Sequence, residues 1–383
     1  MDRGLNTCCL HLEETEGKTE NYGALSYPIY QTATYAHPGV GKSTGYDYSR
    51  LQNPTRERLE KMIAVLEGGI DAFALSTGMA AITLLMEIFK PGDHLVVEAD
   101  LYGGSIRLFD NVSKKNNYEF TYLNCSRDDI EGAIKENTKA IYIETPTNPM
   151  MNVSDIAAIA RLAKKHNILL IVDNTFLSPY FQNPLKLGAD IVIHSGTKFL
   201  GGHNDTLAGF IVTNNEEIKE KLRFLIKTTG AGLSPFDSWL ILRGIKTLGI
   251  RMEKSQENAI ILADWLKKQS IVKRVYYPGL PEHPGYEVMK RQARGFGSMI
   301  TFDVDTREHA LQILERVRMI KFAESLGGVE TLITYPMTQT HADVPEDVRL
   351  KNGITPCTLR LSTGIEDVED LLAELSGVFG SLE

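Results

Sequence analysis

The sequence predicts an α/β fold in which a mainly parallel sheet is covered by helices on both faces, followed by a smaller α+β domain. Three observations support this prediction. Short apolar runs alternate with helical patterns, polar and small residues follow directly after the runs, and a second series of short elements comes after a long helical pattern. Strands separated by helices are typical of βαβ units, whose ligands bind at the carboxyl ends of the strands.

The composition is that of an ordinary globular protein. Its 383 residues are 43% hydrophobic and 23% charged, which suffices for one large or two medium domains with substantial cores. The net charge is −8 and the basic residues are scattered. We therefore expect neither a nucleic acid nor an anionic membrane as a partner.

Cysteine and histidine usage argues against disulfides and metals. Cys8, Cys9, Cys125 and Cys357 form no CxxC pair, and the nine histidines include no HExxH or paired metal spacing. The N-terminus lacks the apolar core of a signal peptide, and no run is long enough to span a bilayer. These features predict a reduced, cytoplasmic protein without a metal site.

The elements follow from composition and periodicity along the chain. Residues 1–50 are rich in Gly, Pro, Thr and Tyr with little helical periodicity, which predicts an extended arm. A first domain is then expected over 51–248 and a C-terminal domain over 249–383. In the first domain, apolar spacing predicts helices over 55–66, 78–89 and 155–165, and strands over 94–98, 140–144, 168–172 and 191–193.

The second half of the chain opens with a helical pattern from residue 236 to about 268. It lacks an internal proline, but Gly244 and Gly249 predict a bend, and the helix is expected to cross between domains. The smaller α+β domain is predicted from strands near 272–276 and 299–303, a turn at 277–279, and helices near 307–317 and 367–380.

The stretch AHPGVGKST, residues 36–44, nearly matches the phosphate-binding loop of nucleoside triphosphatases. Ala36 stands where that pattern requires glycine. No apolar strand precedes the stretch, and no helix pattern directly follows it, so backbone amides and a helix terminus would not cradle a phosphate. The segment is more simply interpreted as a turn.

The strongest functional signal lies in IHSGTKFLGGHND, residues 193–205. The apolar run 168–172 places Asp173 at the end of one strand, and the run 191–193 places Lys198 just after the next. A lysine amine in a cleft can form a Schiff base, and a facing carboxylate can keep a pyridinium nitrogen protonated. Together these groups predict pyridoxal 5′-phosphate as the cofactor.

Neighbouring motifs supply the other contacts that this cofactor needs. The stretch LSTGMAAI, residues 75–82, opens a helix with small residues whose amides and hydroxyls could hold a phosphate, and Ser195 and Thr197 add hydroxyls. Tyr102, which is predicted to end another strand, could stack on the ring. Each residue alone has a simpler interpretation as a surface charge, a turn or rim packing. Their coincidence at successive strand ends favours the cofactor site.

At these residues the chain also resembles a known family, the Cys/Met-metabolism group of pyridoxal-phosphate enzymes, which has the fold type I architecture of aspartate aminotransferase. The resemblance extends over about residues 20–380 and includes the segments DYSRLQNPTRERLE, STGMAAI, DLYGGSIRLFD, ETPTNP, VDNTFLSPYFQNPLKLGADIVIHSGTKFLGGHND, SPFDSWLILRGIKTL, FAESLGGVETLITYP and LRLSTGIEDVEDL. It implies that domain 51–248 binds the cofactor.

The resemblance assigns roles to matched positions. Lys198 would bond to the cofactor and act in catalysis together with Tyr102, and Asp173 would pair with the pyridine nitrogen. The remaining implied cofactor contacts are Gly78, Met79, Asn148, Ser195 and Thr197. The implied substrate contacts are Arg360, which would clamp the α-carboxylate, and Ser325, Glu324, Asp47 and Arg107.

The resemblance also implies a function for the arm. Tyr48 and Arg50 would reach from the arm into the phosphate site of a neighbouring subunit. The family forms homotetramers built from dimers with shared active sites, so the same assembly is expected here, acting on small amino acids.

For the reaction, the resemblance implies γ-replacement on an O-acylhomoserine with L-cysteine to give cystathionine, in sulfur amino acid metabolism. Leu51 stands where some enzymes that use the succinyl ester carry a basic residue, which favours the acetyl ester. Cleavage of cystathionine by γ- or β-elimination stays open as an alternative, because lyases share much of this residue set. A homologue that binds the cofactor without turnover is not expected.

A dedicated methionine γ-lyase is less expected. Gly104 stands where those enzymes carry a reactive cysteine, although Lys227 in IKTTGAG resembles them. For Lys227, an interface role and a catalytic role both remain open.

Overall fold

The structure, a computed structural model, describes residues 3–12 and 21–382. Its helices are α1 Leu5–Leu10, α2 Pro54–Glu67, α3 Gly78–Met86, α4 Gly103–Asn111, α5 Ile156–Lys165, α6 Ser178–Phe181, α7 Glu216–Thr229, α8 Pro235–Ile245, α9 Leu248–Leu266, α10 Tyr286–Gln292, α11 Arg307–Arg316, α12 Glu346–Lys351 and α13 Val368–Gly380. Its strands are β1 Asp71–Leu75, β2 His94–Glu98, β3 Glu119–Leu123, β4 Thr138–Glu144, β5 Leu169–Asp173, β6 Ile191–Ser195, β7 Gly209–Thr213, β8 Val272–Tyr276, β9 Met299–Val304, β10 Lys321–Phe322, β11 Leu332–Thr334 and β12 Thr358–Ser362.

The larger sheet has seven strands in the order β1-β7-β6-β5-β4-β2-β3. Strand β7 runs antiparallel to both of its neighbours, whereas the pairs formed by β6, β5, β4, β2 and β3 are parallel. The prediction of a mainly parallel sheet is therefore confirmed. The carboxyl ends of β4, β5 and β6 lie side by side at one edge of the sheet.

Helices cover both faces of this sheet. Since successive strand residues point to opposite sides, each strand packs against helices on both faces. Ile191 and Ile193 of β6 pack with side chains of α3, α4 and α7. Val192, between them, packs with side chains of α2 and α8 on the other face. The near-continuous apolar runs of the sequence are thus explained by burial on both sides.

The smaller sheet has five strands in the order β10-β11-β12-β9-β8. It is antiparallel except for the pair β10 and β11. Apolar residues of α9, α11 and α13 pack with this sheet in a core of their own. This confirms a smaller α+β unit after the large sheet, and the boundaries 51–248 and 249–383 stay a prediction.

Most predicted elements occur close to their expected positions, with two shifts near the site. The helix predicted over 78–89 ends at Met86. Tyr102 does not end a strand: β2 stops at Glu98, and Tyr102 is the residue before α4.

The single bent helix predicted over 236–268 is wrong. The structure has two helices, α8 and α9, separated at Lys246 and Thr247. Gly244, near the end of α8, packs so tightly that an added Cβ would lie 2.3 Å from the Gly201 carbonyl oxygen. The break is thus set by contact with the segment after Lys198.

The prediction for residues 1–50 is correct only in part. Residues 5–10 form the helix α1, whose Cys9 is 1% exposed and packs into the core beneath the large sheet. Residues 1–2 and 13–20 of the predicted arm lie outside the described residues. Residues 21–52 form no helix, and their pairings include an isolated bridge between Thr34 and Tyr48.

The near match to a triphosphatase loop is not a phosphate site. Residues 36–44 contain a turn closed by a bridge between Gly39 and Lys42, and no helix begins until Pro54. Elsewhere in 3–12 and 21–382, no helix has both the length and the apolar character needed to cross a bilayer.

The packing of Gly244 generates a prediction. Gly244→Ala should destabilise the protein by about 1–3 kcal/mol, because the methyl group would push α8 away from backbone atoms that cannot yield. Gly377→Ala is the matched control, since nothing lies within 4 Å of an added Cβ there and alanine favours a helix by about 0.5–1 kcal/mol. Chemical denaturation of both variants measures the difference; equal stabilities would contradict the contact.

Candidate active site

A cavity of about 190 Å³ opens at the carboxyl ends of β4, β5 and β6. Each strand end delivers a functional side chain to it because parallel strands end at the same edge of the sheet. The predicted cofactor residues that line it are Gly78, Met79, Tyr102, Asn148, Asp173, Ser195, Thr197 and Lys198. The structure therefore brings together eight residues predicted from separate parts of the chain.

Lys198 lies in the loop after β6, with its amine buried in the cavity. Its Nζ donates a hydrogen bond to Ser325 Oγ at 2.9 Å. Burial, and after it the nearby Arg360 cation, lower the pKa of Lys198 from 10.5 to about 8, while Glu324 opposes the shift. At pH 7 about a tenth of this amine is therefore neutral and nucleophilic, far more than for an ordinary lysine.

Asp173 ends β5 directly beside Glu144, which ends β4. Burial raises the pKa of both carboxyl groups, and for Glu144 the Asp173 charge raises it further. The Thr175 backbone N–H donates to Asp173 Oδ1 at 3.0 Å, and bonds from Thr175 oppose the rise for Asp173. Asp173 is therefore the better placed of the two to stay ionised opposite a ring cation.

The beginning of α3 faces the same cavity. Thr77 caps the helix by accepting a hydrogen bond from the Ala80 N–H at 2.9 Å. Gly78 and Met79 follow, and a Cβ on Gly78 would lie 3.1 Å from the Ser195 side chain. Amides at a helix N-terminus, beside the hydroxyl of Ser195, form a seat for a phosphate group.

Tyr102, the residue before α4, lines the cavity. Its backbone N–H donates to Glu144 Oε2 at 3.0 Å, and its side chain is 41% exposed. The ring leaves no room at Gly104, where an added Cβ would lie 2.4 Å from Tyr102 Cε1. Glycine at this position therefore lets the ring lie over the cavity.

Arg360 lies on β12 of the smaller sheet, is 1% exposed and contacts the cavity residue Asn148. It donates to Asn148 Oδ1 at 2.7 Å, to the Ser325 carbonyl oxygen at 2.9 Å and to Thr334 Oγ1 at 3.1 Å. Burial lowers its pKa to about 10, and its Nε, in the described residues, is buried without a partner. A guanidinium in this state can still bind a carboxylate.

Ser325 holds both cations of the site. Its hydroxyl accepts from Lys198 and its carbonyl oxygen from Arg360, with a backbone φ of 89°. A positive φ costs a serine of order 1–3 kcal/mol, and such strain is concentrated at functional sites.

A larger groove of about 1160 Å³ adjoins the cavity, with Thr77, Thr197 and Leu207 lining both. Ser325 and the exposed Glu324 also line the groove. A ligand that begins in the cavity can therefore extend along the groove past a negative charge.

Five predicted residues do not line the cavity or the groove of this chain: Arg360, which contacts the cavity residue Asn148, and Tyr48, Arg50, Asp47 and Arg107. Arg50 bonds to the Lys227 carbonyl oxygen and lies 5.5 Å from the centroid of the Tyr48 ring. Asp47 accepts from Ser43 Oγ at 2.6 Å, and Arg107 forms an exposed ion pair with Asp343.

Sequence reasoning missed two residues that shape the site. In the sequence, Glu144 looks like an ordinary strand end. A polar residue directly after an apolar run, which was the signal that identified Asp173, could also have identified Glu144. Thr175 binds Asp173 and also accepts from the Ser195 N–H at 2.8 Å, so it joins two strand ends. Nothing in its sequence neighbourhood marks it.

These residues fit pyridoxal 5′-phosphate chemically. The partly neutral amine of Lys198 suits an aldehyde, the Asp173 carboxylate suits a protonated ring nitrogen, and the α3 amides suit a phosphate. The orphaned Arg360 Nε suits the carboxylate of an amino acid substrate. Fold and site together define a pyridoxal-phosphate-dependent enzyme.

Comparison with known proteins supports the same class of enzyme. A family model described as "Cys/Met metabolism PLP-dependent enzyme" matches residues 6–379. The chain belongs to this family, so it is an enzyme that uses pyridoxal 5′-phosphate in cysteine and methionine metabolism, as the resemblance indicated.

Relatives with different reactions are about equally similar. The chain is 50% identical over 357 residues to cystathionine gamma-lyase of Bacillus subtilis, covering 93% of this chain and 94% of the relative. It is 48% identical over 354 residues to cystathionine beta-lyase of Lactococcus lactis subsp. cremoris, covering 92% and 93%. It is 49% identical over 366 residues to cystathionine gamma-synthase of Haemophilus influenzae, covering 95% of each.

Solved structures show the same architecture. The crystal structure of cystathionine gamma-lyase from Lactobacillus plantarum, complexed with L-serine, superposes with a TM-score of 0.96 at 43% identity. The match covers 99% of each chain. This confirms the predicted fold type I architecture.

The lowered pKa of Lys198 predicts how the apoenzyme captures its cofactor. Only the neutral amine attacks an aldehyde, so the capture rate should rise about tenfold per pH unit below pH 8 and level off above it. Stopped-flow absorbance from pH 6.5 to 10 measures the profile, and Lys198→Ala, which should capture nothing, assigns it to this residue. A rate that keeps rising tenfold per unit to pH 10 would contradict the burial effect.

Proposed function

We propose that this enzyme catalyses γ-replacement, in which the thiol of L-cysteine displaces the acyloxy group from Cγ of an O-acylhomoserine, preferably O-acetylhomoserine, to give cystathionine and a carboxylate. The observation that carries the proposal is the groove that runs from the cavity to Glu324. A carboxylate there suits the distal ammonium of cysteine or cystathionine. A shorter amino acid such as methionine has no group to place beside it.

The proposed roles follow from the geometry. Arg360 binds the substrate α-carboxylate, with its orientation held by Asn148 and Ser325. Asp173 pairs with the pyridine nitrogen, and Tyr102 stacks on the ring. Gly78, Met79, Ser195 and Thr197 bind the phosphate.

When bound, pyridoxal 5′-phosphate withdraws electrons from the α-carbon of an attached amino acid and so acidifies its α-proton. Lys198 Nζ is positioned to accept that proton, because burial and Arg360 favour its neutral form. Ser325 Oγ, its hydrogen-bond partner at 2.9 Å, orients the amine. After a second proton leaves Cβ, the γ-substituent departs and the cysteine thiol adds at Cγ.

The acetyl ester is preferred because the two positions expected to pair with the carboxylate of a succinyl ester do not offer it a free cation. Leu51, directly after the arm, is an exposed apolar residue. The Arg107 guanidinium, a matched acyl-site position, is already paired with Asp343. A neutral acetyl group needs neither cation.

Cleavage of cystathionine is the second candidate, favoured by the similarity to the Bacillus subtilis gamma-lyase. γ-Elimination gives cysteine, 2-oxobutanoate and ammonia, and β-elimination gives homocysteine, pyruvate and ammonia. A methionine γ-lyase is less favoured, since Gly104 lacks the cysteine of those enzymes and its space is filled by the Tyr102 ring.

We also propose that the enzyme is a cytoplasmic homotetramer built from dimers with shared active sites. Tyr22, Leu25 and Val40 of the arm are almost fully exposed, which is unusual for a monomer's surface and suits a subunit interface. Tyr48 and Arg50 lie away from their own chain's cavity, so their proposed phosphate contacts would be made in a neighbouring subunit.

Product analysis tests the reaction. Cofactor-loaded enzyme is incubated with cystathionine alone, and in parallel with O-acetyl- or O-succinylhomoserine plus cysteine. We expect cystathionine formation from the acetyl ester to exceed cystathionine cleavage, with all products quantified by mass spectrometry. Faster cleavage would overturn the proposal in favour of a lyase, with 2-oxobutanoate marking γ-elimination and pyruvate marking β-elimination.

A substitution tests the role of Glu324. Glu324→Gln should raise the KM for cysteine or cystathionine about 5-fold, because it removes about 1 kcal/mol of attraction at an exposed site. The conversion of O-acetylhomoserine alone to 2-oxobutanoate should be unchanged. Glu330→Gln is the matched control, since this groove carboxylate already accepts from Asn204 Nδ2 at 2.8 Å. Equal effects of the two substitutions would remove the assignment.

A further inference from the structure

The connection between β11 and β12, residues 335–357, crosses from the smaller sheet to the large one and returns. We call this segment the strap. Its two ends lead into strands that carry Thr334 and Arg360. Its middle contacts the loop of residues 99–102, which ends in Tyr102.

Two strap side chains bond to backbone carbonyls of that loop. Asn352 Nδ2 donates to the Ala99 oxygen at 2.8 Å, and His341 Nε2 bonds to the Leu101 oxygen at 3.2 Å. The backbones also pack closely, since a Cβ on Gly103 would lie 2.2 Å from the Thr340 oxygen. The strap is thus attached on both sides of the turn that presents Tyr102.

His341 is 2% exposed, and its surroundings determine where its proton lies. A carbonyl oxygen only accepts, so Nε2 must carry the hydrogen that bonds to Leu101. Nδ1 then accepts from the Thr340 hydroxyl at 2.9 Å. Burial lowers the pKa of the imidazole to about 4, which keeps it neutral.

The strap therefore joins groups on both sides of the cavity. On one side, His341 contacts the backbone before Tyr102. On the other, the strap follows directly after Thr334, which accepts from the Arg360 guanidinium. A shift of Arg360 on binding a carboxylate would therefore act on the beginning of the strap and, through His341, on the tyrosine loop.

We propose that His341 and Asn352 are positioning residues, which act through the loop 99–102 to hold the Tyr102 ring in register with the substrate carboxylate at Arg360. Neither residue lines the cavity or the groove. This inference rests on the proposed roles of Tyr102 and Arg360, and it is independent of whether cystathionine is made or cleaved.

Matched variants of the holoenzyme test it. His341→Met removes the donor to Leu101, and His341→Gln keeps an amide donor at a similar distance from the backbone. Asn352→Asp keeps shape but removes the donor to Ala99. Tyr102→Leu is the positive reference, and Asp347→Asn, at an exposed site on α12, is the control. The readouts are the visible circular dichroism of the bound cofactor, kcat, KM and the melting temperature.

We expect His341→Met and Asn352→Asp to move the dichroism of each bound cofactor towards that of Tyr102→Leu and to lower kcat/KM about 5- to 10-fold. His341→Gln should restore most of both, and Asp347→Asn should match the wild type. If His341→Met does not fold, Asn352→Asp and His341→Gln decide the question.

Two outcomes distinguish a failure of the inference about the strap from a failure of the proposed role of Tyr102. A lower melting temperature with unchanged dichroism and kcat in the strap variants would reduce the strap to a structural role. An unchanged dichroism in Tyr102→Leu would instead overturn the proposed stacking of Tyr102, on which the inference depends.

Discussion

Removal of charged groups from water at the carboxyl edge of the large sheet is the constraint on which the rest of the structure depends. Burial moves the pKa of Lys198 and Arg360 down and that of Asp173 and Glu144 up. All four shifts favour the neutral form, so desolvation outweighs the attraction between opposite charges. A ring cation would lie opposite the Asp173 carboxyl group, a phosphate at the beginning of α3, and a carboxylate beside Arg360. The lysine amine is reactive because burial favours its neutral form.

Strand order is what brings these charges together. Glu144 pairs with Asp173 across β4 and β5, and Asp173 pairs with Ile193 across β5 and β6, so the loop carrying Lys198 begins beside both carboxyl groups. The reversed strand β7 passes beneath the beginning of α3, where a Cβ on Gly209 would lie 2.0 Å from the Thr77 oxygen. Close packing therefore holds the helix terminus against the strand ends.

The smaller sheet and its neighbouring segments complete the surroundings of the cavity. The sheet carries Arg360, and the segment before β11 contributes Ser325 and Glu324 to the groove. Relatives named as gamma-lyase, beta-lyase and gamma-synthase are 48–50% identical to this chain, so differences in reaction arise within one shared architecture. In the proposed function, the polar groups along the groove would determine which end of a substrate is held, and thereby which bond is exposed to proton transfer.

The sequence by itself determined the layered fold, the strand ends that carry Asp173 and Lys198, and the helix that offers its amides to a phosphate. These features are local, because an apolar run followed by a polar residue specifies both a buried strand and what emerges from it. Tertiary structure alone decided that Glu144 couples to Asp173, that the long helix breaks near Gly244, and that the segment between β11 and β12 reaches the tyrosine loop. Each of these depends on atoms far apart in the chain, and pKa values depend on how completely the assembled fold excludes water.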